Sequence, residues 1–205
     1  MSPVWIKICG LTSADAVAAA LAAGVDAIGF VFAESPRRLS AEDAARLAAP
    51  ARGKARCVAV TRHPTQPHLD ELLATFRPDV LQTDAEDLAI LRLPDALELL
   101  PVVRGACAGE TSPPRRLLFE GPGSGVGARG DWTLAASLAR RTQLVLAGGL
   151  DAGNVAGAIA AVRPFGVDVS SGVEERPGVK SPAEVERFAA AARAAFACVK
   201  TQEPT

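Results

Sequence analysis

"VWIKICGLTSADAVAAALAAGVDAIGFVF", residues 4–32, contains a complete structural repeat. Its two short apolar runs, "VWIKIC" (4–9) and "AIGFVF" (27–32), have the length and side-chain content of buried strands. Between them "SADAVAAALAAG" reads as a helix, with Ser13 able to cap its start and Gly24 able to end it. Strand, helix and strand in that order form a βα unit that leads into a parallel neighbour.

The same alternation continues along the chain. Further strand-like runs are "RCVAVT" (56–61), "VLQT" (80–83), "LLPVVR" (99–104), "RLLFE" (116–120), "QLVLAG" (143–148) and "GVDVSS" (166–171). The last helix opens on "SPAE", with Ser181 at the cap, Pro182 at the first helical position and Glu184 placed to reach back. Only "GACAGETSPP", after the fifth strand, lacks a convincing helix, so helix 5 is expected to be weak or missing. Eight strands, seven or so helices and no compositional break predict a single α/β domain over residues 1–205, a (β/α)8 TIM barrel. Residues 197–205 are expected to form a disordered C-terminal tail. An open doubly wound sheet is the rival, but it ordinarily has fewer strands and a clearer nucleotide loop.

Length and composition agree with one domain. At 205 residues with 49% hydrophobic content the chain can bury a sizeable core, and 22 Lys+Arg nearly cancel 23 Asp+Glu. That balance points to neither a nucleic-acid nor a membrane partner. No secretory leader pattern is read at the start and no apolar run reaches spanning length, so a cytoplasmic location is expected. Cys9, Cys57, Cys107 and Cys198 show no metal-like spacing and are expected to be free thiols.

The barrel reading turns position into geometry. Active sites of such barrels lie at the C-terminal ends of the strands, where Lys7, Cys9, Arg104, Glu120, Asp168 and Ser170 interrupt the apolar runs. Alternation sends Ile6 and Ile8 outward to the helices and Lys7 and Cys9 inward. Strand eight closes beside strand one, so Asp168 should neighbour Lys7 and partner its charge, both facing the substrate.

A cysteine in an apolar strand is usually core filler, which is the reading for Cys57, Cys107 and Cys198. Cys9 differs: it ends a strand, precedes Gly10, and has a cation two residues away that favours the thiolate, so it is a candidate nucleophile or base. "LAGGLDAGN" (146–154) and "DVSSGVEERPG" (168–178) follow strands seven and eight, the usual phosphate loops of the fold. Gly148, Gly149, Ser171 and Gly172 would present backbone N–H groups to the anion, with Gly125 and Gly127 of "GPGSGVGARGDW" (121–132) adding to them. A lone glycine pair can equally just end a strand. "SPRR" (35–38) offers Arg37 as a clamp for a carboxylate or phosphate, or as a solvated charge.

Taken in order, "KICGLT", "GFVFAESPR", the glycine-rich stretch ending "GDW", "LAGGLDAGNV" and "VRPFGVDVSSGVEERPGVK" resemble the phosphoribosylanthranilate isomerase family of tryptophan biosynthesis, over residues 4 to 196. The resemblance implies an aldose–ketose isomerase that converts N-(5′-phosphoribosyl)anthranilate to the aminodeoxyribulose phosphate by an Amadori rearrangement, as a monomer or homodimer, with no metal and no organic cofactor. The family's general base falls on Cys9 and its carboxylate-binding arginine on Arg37. Its general acid, an aspartate in a stretch like "LLLD", falls on Glu120 of "LLFE", followed by a loop that looks shortened. A second departure is "QTDA" (82–85), where the family usually reads "QLHG". Two other readings remain at this point: a different phosphosugar isomerase or indole-forming enzyme on the same barrel, and a phosphate-ligand binding protein without catalysis.

Overall fold

A computed structural model describes residues 4–104, 113–121 and 131–201. Eight parallel strands close into a barrel: β1 (Trp5–Cys9), β2 (Ala27–Val31), β3 (Arg56–Val60), β4 (Val80–Asp84), β5 (Glu98–Arg104), β6 (Arg116–Glu120), β7 (Gln143–Leu146) and β8 (Gly166–Val169). The eighth strand returns to the first with Lys7 opposite Asp168. The (β/α)8 expectation therefore holds, and the open sheet is excluded by that closure.

Alternation divides the strands into two apolar surfaces. Trp5, Ala27, Val58, Val80, Leu100, Leu118 and Val145 fill the barrel interior. Ile6, Ile8, Ile28, Leu81, Leu117, Phe119 and Leu144 point outward into the layer beneath the helices. Fully burying one such aliphatic or aromatic side chain is worth about 1.5–3 kcal/mol, so this double use of every strand supplies most of the driving force for closure.

The helices are α1 (Ala14–Ala22), α2 (Ala41–Ala48), α3 (Gln66–Phe76), α4 (Trp132–Ala139), α5 (Val155–Val162) and α6 (Pro182–Thr201). Ser13 Oγ accepts from the Ala16 N–H, and Gly24 adopts φ +63° just past the end of α1, as its sequence predicts. Asp131 caps α4 through the N–H groups of Thr133 and Leu134.

Several expectations change. β4 is followed by a 3-10 turn, Ala85–Ala89, rather than an α-helix, so six α-helices occur among the described residues. The region read as lacking helix 5, residues 105–112, lies outside the described residues, as does Cys107. α6 runs through Thr201, which makes residues 197–201 helical instead of tail; its Phe196 and Val199 pack on the core and carry the helix onward. Residues 202–205 lie outside the described residues. Cys57 is buried, but Cys198 is on the exposed face of α6 and is not core filler. The loop after β8 also contains a short antiparallel pair, β9 (Glu174–Arg176) and β10 (Val179–Lys180), turned at Gly178 with φ +83°. No helix among the described residues is long and apolar enough to cross a membrane.

Candidate active site

The interior changes character toward the C-terminal ends of the strands. Below lie Trp5, Val58, Val80, Leu100 and Leu118; above them, on the same parity, stand Lys7, Cys9, Gln82, Asp84, Arg104, Glu120 and Asp168. Over this polar layer opens a cavity of about 440 Å³ lined by Cys9, Arg37, Glu120, Gly148, Gly149, Asp168 and Ser171, together with Arg62 and Gln82. Gly125 and Gly127 lie outside the described residues.

Lys7 sits beneath the cavity floor. Its ammonium is fully buried and donates to Asp168 Oδ1 at 2.9 Å, the pairing that strand parity predicts. Its side chain is fully buried and does not line the cavity, where the sequence places it in contact with substrate. Burial works to lower the Lys7 pKa; Asp168 and Cys9 outweigh it and hold the ammonium above the ordinary lysine range. Room for Lys7 and Cys9 comes from Gly29 on β2. A Cβ there would lie 3.1 Å from Cys9 Sγ and 3.2 Å from Lys7 Nζ.

Burial pushes the Cys9 thiol up, and the Lys7 and Lys180 ammoniums only partly offset it. The cation two residues away does favour the thiolate, yet desolvation wins. Cys9 is therefore a thiol at rest near neutrality.

Arg37 is held far more tightly than a solvated loop charge. It is 8% exposed, its Nε and Nη2 donate to Glu174 Oε1 and Oε2 at 2.7 Å each, and Lys180 Nζ donates to the same Glu174 at 2.7 Å. Gly10, at φ +75°, lets the arginine stem cross it: a Cβ would fall 2.5 Å from Arg37 Cδ. The Glu174 bonds hold the Arg37 guanidinium above its usual range, and they keep Glu174 below the usual carboxylate range despite burial.

The two glycine-rich loops meet. Gly148 and Gly149 adopt φ +89° and +64°, and Asn154 Nδ2 donates to Gly149 O at 2.8 Å. Gly172, in the 3-10 turn Ser171–Val173, lies so close to the β7 loop that a Cβ would be 1.9 Å from Leu150 O. Gly172 thus supports the cavity wall from behind, while Gly148, Gly149 and Ser171 face in.

Glu120 ends β6 and is engaged by Arg104 of β5, whose Nε and Nη2 each lie 2.7 Å from Oε1. Arg104 Nη1 also donates to Asp84 Oδ1 on β4. Arg104 is expected here from its strand end and Asp84 only as part of the altered "QTDA" stretch, whereas Glu174 and Lys180 carry no sequence signal of a site. Parity could have found Asp84, since Val80, Gln82 and Asp84 alternate inward as Leu100, Val102 and Arg104 do. Glu174 and Lys180 lie in a loop with no such period.

His63, Asp84 and Glu86 each bring one ligand atom to within 4.8 Å of the others. Arg62 Nε, 3.6 Å from Asp84 Oδ2, and Arg104 flank the same carboxylate, and two guanidiniums oppose a further cation there.

The sequence profile of the family described as N-(5′-phosphoribosyl)anthranilate (PRA) isomerase matches residues 6–191. An N-(5′-phosphoribosyl)anthranilate isomerase of Mesorhizobium japonicum is 41% identical over 211 residues, covering 93% of this chain and 95% of that one. Among solved structures, TrpF of Jonesia denitrificans superposes with a TM-score of 0.78 at 34% identity, covering 96% of this chain and 99% of its own. A phosphoribosyl anthranilate isomerase in complex with reduced 1-(o-carboxyphenylamino)-1-deoxyribulose 5-phosphate gives 0.76 at 27% identity, covering 94% and 100%. Profile, sequence and barrel agree over nearly the whole length, and the chain belongs to the N-(5′-phosphoribosyl)anthranilate isomerase family.

Proposed function

We propose that this protein isomerises N-(5′-phosphoribosyl)anthranilate to 1-(2-carboxyphenylamino)-1-deoxyribulose 5-phosphate, the tryptophan-biosynthetic Amadori rearrangement, with Glu120 as general acid and Cys9 as general base. One observation carries the residue assignment: Cys9 on β1 and Glu120 on β6 line one cavity that also holds a fixed guanidinium and a glycine-built anion wall.

The substrate has a phosphate at one end and a benzoate at the other. Backbone N–H groups of Gly148, Gly149 and Ser171 suit the phosphate, because these residues line the cavity and the two glycines have no Cβ to keep an anion from the backbone. Arg37 suits the benzoate. Glu174 takes the Nε and Nη2 donors, leaving Nη1 and the outer Nη2 hydrogen to form a second fork. Anchoring both ends leaves the ribose between the acid and the base, which removes most of the entropic cost of bringing them together.

Glu120 gives its proton to the furanose ring oxygen; the C1–O bond breaks and the nitrogen lone pair makes the C1=N iminium. Cys9 thiolate then takes the C2 proton, and that electron pair moves to form C1=C2 as the iminium is neutralised. Loss of the C2 hydroxyl proton and protonation of C1 complete the ketose. Lys7 acts through Cys9: its buried positive charge opposes the desolvation that disfavours the thiolate. The positive iminium adds to the same effect at the moment the base is needed.

The test is product identification. Purified protein incubated with phosphoribosylanthranilate should convert the aldose C1 carbon signal to that of a CH2 beside a new ketone carbon in the NMR spectrum. Binding without that conversion would favour a phosphate-ligand binding protein.

A further inference from the structure

Glu120 on β6, where the chain departs from its family's pattern, and Asp84 on β4, within the altered "QTDA" stretch, are joined by one guanidinium. Arg104 stands on the strand between them, donates to Asp84 Oδ1 through Nη1, and holds Glu120 Oε1 through Nε and Nη2. Asp84 is 1% exposed, and its Oδ2 has no hydrogen-bond partner among the described residues. The nearest cationic groups to that oxygen, His63 Nε2 at 3.4 Å and Arg62 Nε at 3.6 Å, are beyond good hydrogen-bond length. Asp84 therefore divides its negative charge between Arg104, which it bonds directly, and Arg62 and His63 on its other oxygen.

We propose that Asp84 is a positioning residue for the acid step: it competes with Glu120 for Arg104, so that the guanidinium fixes the Glu120 carboxyl without locking it as the anion. This rests on Glu120 being the general acid. A lone Arg104–Glu120 pair would favour the carboxylate and withhold the proton that ring opening requires. A second carboxylate on the same guanidinium shares its charge and adds like-charge repulsion, both of which favour a protonated Glu120. The longer glutamate arm fits this arrangement, since its position is set by Arg104 at the strand end.

Among the described residues, further charges reach this end of the barrel from other strands. Lys7 and Cys9 come from β1, Glu34 and Arg37 from the loop after β2, Arg62 and His63 from the loop after β3, and Asp168 from β8. Val145 of β7 and Ala147 just after it bring apolar side chains to the interior. His63 is itself tied to Asp87, Nδ1 to Oδ1 at 2.8 Å, and so adds its own charge on the Asp84 side when protonated.

The test is the pH profile of kcat/KM for Asp84→Asn beside Glu120→Gln and the double variant. Burial lifts Cys9 above the ordinary thiol range, so thiolate and carboxylic acid coexist in a minor fraction of the enzyme. In such a pair the acid-side break of the profile reports the carboxyl, and the plateau height reports the gap between the two groups. Asp84→Asn should move that break about one pH unit lower and reduce the plateau about tenfold. In the Glu120→Gln background Asp84→Asn should have no further effect on the rate. If the Asn variant does not fold, Asp84→Ser removes the same charge and is read in the same way. A plateau that falls with the break unmoved, or a profile identical to wild type, overturns the proposal while a dead Glu120→Gln keeps the acid assignment. Wild-type turnover in Glu120→Gln overturns both.

Discussion

Replacing Arg37 by Lys keeps the charge and removes the geometry. In the folded protein two of the guanidinium's donors are committed to Glu174 at 2.7 Å each, and the remaining edge is the one available to the anthranilate carboxylate. A lysine ammonium over Gly10 can satisfy Glu174 or reach the substrate, but it has no second fork. The variant therefore loses about one charge-assisted hydrogen bond to substrate, worth about 1.5–3 kcal/mol. At 1.4 kcal/mol per decade this is about a 10- to 100-fold rise in KM, with kcat changed less than about threefold because neither proton transfer passes through Arg37. Steady-state kinetics followed by substrate fluorescence measures both constants. Glu174→Gln, which leaves the guanidinium in place but weakens its anchor, should give an intermediate KM. A KM within twofold of wild type in Arg37→Lys, or a loss confined to kcat, would refute the assignment of the carboxylate end to Arg37.

Cys9→Ala should abolish turnover while a product analogue still binds, and Cys9→Ser should recover little, since a hydroxyl is a far weaker base than a thiolate; kinetics beside calorimetric titration checks both. Gly172→Ala should destabilise the fold or displace the β7 loop, because its Cβ would meet Leu150 O at 1.9 Å; urea melts and phosphate affinity report this, and an unchanged pair of values would contradict the close approach. Glu174 has a folded-state pKa below its ordinary value, so its stabilising contribution is present above the ordinary glutamate range and is lost as pH falls through the lowered folded value. Glu174→Gln should accordingly show a shallower loss of stability on acidification than wild type, measured by urea unfolding at a series of pH values.

The barrel was readable because its determinants are local and periodic. Apolar runs of strand length recur eight times, several of them separated by helices with readable ends, as at Ser13 and Gly24, and two-residue alternation was enough to put Lys7 beside Asp168 across the closing seam. Periodicity also misled where the chain breaks it. The stretch after β4 has acidic residues at Glu86 and Asp87, and Asp87 is spent bonding Thr83 Oγ1 and the His63 N–H, which fixes a 3-10 turn in place of a helix.

The site was legible only as far as residue type and strand end could speak. Cys9 and Glu120 stand at such ends. The partners that fix the site's electrostatics come from distant sequence: Glu174 lies 137 residues from Arg37, and Asp84 and Arg104 are 20 apart on adjacent strands. Nothing in a one-dimensional pattern reports those pairings or the desolvation that lifts Cys9 against its neighbouring cation. The depth of Lys7 beneath the cavity was equally out of reach, since parity gives the direction of a side chain but not its depth.

The most direct test of the account is the rate at which phosphoribosylanthranilate fluorescence disappears in the presence of the purified protein, compared with its spontaneous breakdown. Wild type should consume the substrate far faster than the background, whereas Cys9→Ala and Glu120→Gln should fall to near background and still bind a product analogue. Background decay with the wild-type protein, or undiminished decay with both variants, would contradict the assignment of this cavity to acid–base isomerisation.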